Sequence, residues 1–175
     1  MTLRVASPIE TRVAQVLQDY LPAEIDLIDA EEGEFTTPDV PAANYHLWDR
    51  RIVPGFPAIC TRLSRTRPAE TRPEGFGARF SAYHELDVLV HVQLATAGED
   101  ALKLKKLIQR YTAGIYRVLC VEKEGLQTAA DPTRFAHLVT LRGPIDYGPE
   151  VNQESGTAVR TGTVPVDVWR IESRT

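Results

Sequence analysis

Around Tyr83 the chain enters an unbroken two-residue alternation. Leu86, Val88, Val90, Val92 and Leu94 share one phase, and Glu85, Asp87, Leu89, His91 and Gln93 share the other. A pleated strand sends successive side chains to opposite faces, so five apolar residues in phase define one buried face. The opposite phase carries two carboxylates and an imidazole, so this sheet is not buried on both sides. After a turn over 95–100, Leu104, Ile108, Tyr111, Ile115, Val118 and Leu119 recur at helical spacing. Glu99 and Asp100 fall in the first helical turn, where acids complement the helix dipole. Lys103, Lys105, Lys106, Arg110 and Arg117 are expected on the outer surface of this helix, which ends before Gly125 and covers the apolar face of the strand.

A second helix is expected near the start. Ser7 is a natural N-cap, Pro8 suits the first helical position, and Glu10 completes a capping box three residues on. Ile9, Val13, Val16, Leu17 and Tyr20 fall on one face, and Pro22 is expected to stop the helix. Ile25, Leu27 and Phe35 then suggest a short strand interrupted by Glu31, Glu32 and Glu34. The stretch from Pro38 to Pro57 holds four prolines and reads as loop, although it contains Tyr45, Trp48, Ile52, Val53 and Phe56. Ala58 to Arg67 and about Arg79 to Leu94 read as the arms of a long hairpin with a basic, proline-rich tip. Phe135 to Leu141 and Ala158 to Ile171 read as further strands, with Pro165 at a bulge or an edge, and 148–156 reads as a polar loop between them. The expected fold is α+β: one domain over 1–175 with a mostly antiparallel sheet of about four to five strands and two main helices. Long loops are expected at about 33–57, 66–79 and 143–157.

Composition narrows the function classes. Apolar residues make up 43% and charged residues 25% of 175, which suits a globular domain rather than a disordered chain. A formal net charge of -4 gives no general attraction for nucleic acid. Cys60 and Cys120 lack the close spacing of a zinc or redox pair and read as reduced thiols of a cytoplasmic product. No apolar run is long enough to span a bilayer, and the N-terminus has no signal core, so no membrane contact is expected. Phosphate loops, dinucleotide-binding glycines, serine elbows and zinc signatures are absent, so no cofactor and no catalytic residue is expected.

Two groups of residues stand out. Glu85, Asp87 and His91 share a strand face and could bind a metal ion only with further ligands such as His84 or His137. His84 and His91 differ by an odd number and so face opposite sides. A polar face meeting water or another subunit is the simpler reading. Arg62, Arg65, Arg67, Arg72 and Arg79 cluster along the hairpin, where Glu70 and Glu74 and the scarcity of aromatics fit a protein interface or a solvated arm better than nucleic acid. Trp48 and Phe56, in the apolar loop, are candidate interface anchors.

These elements together resemble the tail terminator and tail completion (neck) proteins of long-tailed bacteriophages and phage-like contractile machines. The resemblance rests on the capped helix from Ser7, Phe56-Pro57-Ala58-Ile59 opening a strand, the hairpin to Tyr83-His84-Glu85-Leu86-Asp87-Val88, the strand-turn-helix of Val88 to Leu119 and the last apolar strands. It implies a virion protein of the tail-neck region, assembled in the host cytoplasm, with no catalysed reaction. Such a protein forms a ring, commonly a hexamer, that caps the tail tube, stops addition of tube protein and offers a joining surface to the head's connector. DNA would only pass through the channel, with Glu85, Asp87 and His91 facing it. The alternatives are a head-closure protein of the same virion and, from another class, a small metal-dependent hydrolase.

Overall fold

A computed structural model describes residues 7–47, 55–68, 79–94, 101–148, 150–152 and 157–173. The alternating segment forms β3 (Arg79–Leu94), which pairs antiparallel with β2 (Ala58–Pro68) on one side and with β6 (Ala158–Ser173) on the other. The phase is the expected one. Leu86, Val88, Val90 and Val92 are buried, as are Ile59 across the β2 pairing and Val164, Val166 and Val168 on β6. The helix α2 (Ala101–Arg117) lies over β3 and β6 on this apolar face and continues as a π-helical turn over Val118–Glu122. Its residues Leu104, Ile108, Tyr111 and Ile115 are buried against the sheet and the first helix. The approach is close: a Cβ on Gly162 of β6 would sit 2.8 Å from Thr112 Cγ2 and 2.9 Å from Ile108 Cγ2.

The first helix, α1 (Pro8–Glu32), starts as its sequence predicts. Ser7 Oγ accepts from the Ile9 amide at 3.3 Å, and the Glu10 carboxylate accepts from the Ser7 amide at 2.9 Å. It does not stop at Pro22, which lies inside it, and Ile25 and Leu27 are helical rather than strand. Proline in a helix interior costs about 3 kcal/mol. Beyond it, Ile25 and Ile28 are buried, and with Leu21 they close over Gly114 of α2, the three Cδ1 atoms lying 2.9–3.6 Å from where its Cβ would be. Burying each such side chain contributes about 1.5–3 kcal/mol, so the packing outweighs the proline. The helix ends at Gly33, whose φ of +66° suits a residue without a Cβ.

Among the described residues the sheet has six strands, in the order β1 (Tyr45–Leu47), β2, β3, β6 and β4 (Leu138–Leu141), with β5 (Glu150–Asn152) also on β6. Two of its strands lie in segments expected to be loop. β1 pairs parallel with β2, and β5 pairs with the start of β6. β4 is shorter than the strand expected from Phe135. The sheet is otherwise antiparallel, and the α+β architecture follows. Pro165 is neither a bulge nor at an outer edge. Thr163, Pro165 and Trp169 turn their backbone groups toward the β4 side, and Pro165 falls between the last β4 pair at Val166 and the Asp146–Thr163 bridge. The Pro165 carbonyl accepts from the Arg142 amide at 3.0 Å, just past the end of β4, so its missing donor falls where the β4 ladder stops. Trp48, Arg72, the hairpin tip over 69–78 and the turn over 95–100 lie outside the described residues.

Candidate functional site

The helices cover one face of the sheet, and the other face gathers most of the charged residues that the sequence singles out. A register irregularity is responsible. β2 pairs with β3 at Arg62↔Asp87 and Leu63↔Leu86, then at Arg65↔Glu85 and Arg67↔Tyr83, with Ser64 as the extra residue of a bulge. Strict alternation would place Arg62 on one face and Arg65 and Arg67 on the other. The bulge shifts the phase by one, so all three reach the outer face. Beside the bulge, the Leu63 amide donates to Glu10 Oε1 at 2.7 Å, which ties the N-terminal turn of α1 to this strand.

Three carboxylates and three guanidiniums mesh on that face. Asp87 Oδ2 accepts from Arg62 at 2.8 Å and from Ser64 Oγ at 2.7 Å. Arg67 meets Glu85 at 3.0 Å and Asp167 of β6 at 3.2 Å. Arg142, just after β4, bridges Glu85 at 3.3 Å, Asp87 at close range and Asp167 at 3.7 Å. Burial alone would push the Asp87 carboxyl up, but the bonds from Arg62 and Ser64 and the charge of Arg142 hold it below the usual carboxylate range. The carboxylates are recessed and the cations are not. The Glu85, Asp87 and Asp167 side chains are 13–16% exposed, whereas those of Arg62, Arg67 and Arg142 are 40%, 48% and 29% exposed. Arg65 is exposed beside them.

An aromatic row borders the mesh. Tyr83, Trp169 and Leu138 lie side by side across β3, β6 and β4. Tyr83 and Trp169 stack with ring centroids 6.3 Å apart, the His137 ring meets Trp169 edge-on at 5.1 Å, and Arg67 lies over Tyr83. Tyr83 and Leu138 are exposed, which makes this an open surface rather than a cleft. His91 is on the same face, its Nδ1 2.8 Å from Thr161 Oγ1, while His84 faces the helices and meets Thr66 Oγ1 at 3.0 Å. The two imidazoles are therefore on opposite sides, and a metal ion at Glu85 and Asp87 would have to displace arginines. Among the described residues no cluster of three or more His, Cys, Asp or Glu is arranged to hold a metal ion. The strip is not the uncompensated acidic surface its own strand suggests, because its neighbours neutralise it. Phe56 is half-buried ahead of β2, and Arg79 opens β3.

Elsewhere the polar groups serve the fold. Arg110 is buried rather than on the outer surface of α2. It pairs with Asp29 at 2.8 Å and Glu32 at 2.7 Å, donates to the Phe35 carbonyl at 2.7 Å and lies 3.9 Å over the Phe35 ring. Sequence reasoning missed this because lysines surround it. Arg12 bonds Asp131 at 2.5 Å and Thr128 at 3.2 Å at the floor of an open cleft of about 660 Å³ beside α1. Cys60 and Cys120 are not joined in a disulfide, and burial pushes the Cys120 thiol up to about 11, which keeps it protonated. Among the described residues no helix is long and apolar enough to cross a membrane.

No family model and no curated protein matches the chain. Among the solved structures that match, one aligns over 94% of this chain and 96% of its own length at 16% identity and a TM-score of 0.39, and its name states no activity. At that distance neither fold nor function transfers.

Proposed function

We propose that this chain is a structural assembly subunit of the tail-terminator kind. Copies would close into a ring, commonly of six, that caps a phage tail tube, stops addition of tube protein and presents a joining surface to the head's connector. The observation that supports an assembly role is the outer face of the sheet. It is open, ordered by ion pairs across three strands and bordered by exposed Tyr83 and Leu138, which suits a protein contact better than a reaction. Catalytic carboxylates need a concave site and an unengaged lone pair, and here each one is held by guanidiniums. The same pairing weighs against a metal-dependent hydrolase built on Glu85, Asp87 and His91. It also weakens the electrostatic ground for lining a DNA channel with this face. A head-closure or neck protein is the second reading within the same class.

Light scattering on the purified protein at several concentrations, followed by electron microscopy of the largest species, tests the proposal. Rings, or growth toward them with concentration, are expected. A protein that stays monomeric at every concentration, and does not bind tail tubes, would overturn it. Tube-capping against connector-binding assays then separate the terminator from the head-closure reading.

A further inference from the structure

The outer sheet face shows solvent its cations and hides its anions. The surface with the opposite character is on the same chain. From residue 13 to residue 49 there are nine Asp and Glu and no Lys or Arg. Several of these acids are engaged by α2: Arg110 holds Asp29 and Glu32, Arg117 holds Glu24 and Glu31, and Lys106 holds Glu34. Asp19 and Asp26 are not among those pairs. They lie on the exposed stripe of α1 that follows helical spacing through Gln15, Asp19, Ala23 and Asp26. Leu27 adjoins it and is 58% exposed, a large apolar side chain left mostly open.

We infer that the outer face around Arg62, Arg65 and Arg67 docks on the exposed stripe of α1 around Asp26 and Leu27 in a second copy of this chain. The inference rests on the assembly reading above and names the two surfaces that meet. Charge complementarity selects the occupant: exposed guanidiniums on one side, carboxylates without neighbouring cations in sequence on the other, and apolar Leu27 available to the Tyr83–Leu138 border. Nucleic acid fits less well, because its phosphates would approach three recessed carboxylates as well as the arginines. Both helices pack on the inner face of the sheet, so the two surfaces lie on opposite sides of the subunit. Such a contact is head-to-tail, the kind that forms a ring when its rotation closes.

Charge reversal tests it, because both partners are exposed and neither substitution disturbs the core. Arg65→Glu and Asp26→Arg are made singly and together, checked for unchanged circular dichroism, and followed by light scattering across concentration and salt. Each single variant is expected to need about tenfold more protein to assemble, and the double variant to return to within about threefold of the starting protein. Added salt should weaken assembly of the starting protein. Single variants that assemble as before, or a double variant no better than the singles, would overturn the inference and leave the assembly reading standing. A starting protein that is monomeric throughout would overturn the inference, and one that also binds no tail tubes would overturn the assembly reading with it. Binding of a DNA oligonucleotide that Arg65→Glu abolishes, with assembly unaffected, would assign the face to nucleic acid instead.

Discussion

Arg110 and Asp131 show how single charges are placed in this fold. Removing the Arg110 guanidinium would leave the recessed Asp29 carboxylate and the Phe35 carbonyl without their cation, and half-exposed Glu32 without its partner. Arg110→Met is expected to cost about 3 kcal/mol, the low end for breaking a buried pair because Glu32 is half exposed. Urea denaturation would measure it, and a loss within error of zero would mean the loop after α1 has its own anchors. Asp131 is different, since it sits at the surface. Hydrogen bonds from Arg12 and Thr133 lower its carboxyl to about 2. A depressed folded value stabilises the protein above the ordinary carboxylate value, about 4, and that stability is lost as pH falls through about 2. Carboxyl titration by NMR should find the midpoint near that value, and Arg12→Gln should move it up toward 3.8. The difference in melting temperature between the two proteins should shrink between those limits. A constant remainder should persist, because Arg12 also packs over Phe135.

At the scale of elements, close approach is set by residues without side chains. Gly162→Ala would bring a Cβ within 3.0 Å of methyl groups on both Thr112 and Ile108, and to 3.3 Å from Val90. Overpacking of this kind costs about 1–3 kcal/mol. Thermal or urea unfolding should register that loss, and an unchanged midpoint would mean α2 can lift from the sheet without penalty. The elements differ in how legible they were from sequence. β3 was readable because its five in-phase apolar residues allow only one buried face, and the start of α1 because Ser7, Pro8 and Glu10 each act locally. The passage of α1 through Pro22 was not, since what sustains it is contact with Gly114, far along the chain. The bulge at Ser64 was equally hidden. No residue in β2 announces it, yet it decides that Arg62, Arg65 and Arg67 share a face, and Arg142 joins them only through the placement of β4 on β6.

For the whole molecule, the layers follow from one division: apolar residues of β3 and β6 under two helices, and charged residues of β2, β3 and β6 on the open side. The α+β class was legible because that division is written into alternation and helical spacing. The short strands β1 and β5 were not, as three residues carry too little pattern and their pairing depends on neighbours. The candidate site was half legible. Glu85 and Asp87 were seen with the hairpin arginines, but as separate groups, and Asp167 and Arg142 entered only once the strands were set side by side. A molecule that works by surface contact should tolerate loss of its hairpin tip as a fold while losing function. Deletion of Pro68 to Gly77 is expected to leave circular dichroism and cooperative melting intact and, on the proposed terminator role, to impair capping of tail tubes. Full capping by the shortened protein would remove the tip from the contact surface.

The bond between Leu63 and Glu10 joins residues 53 apart in sequence and makes one amide proton a reporter for two places at once. That proton can exchange with deuterated solvent only when the carboxylate lets go, and the same carboxylate is what fastens the first turn of α1. Fraying of the helix and loosening of the strand should then register as a single event. In Glu10→Ala, the Leu63 and Ser7 amides should both exchange faster, by a common factor.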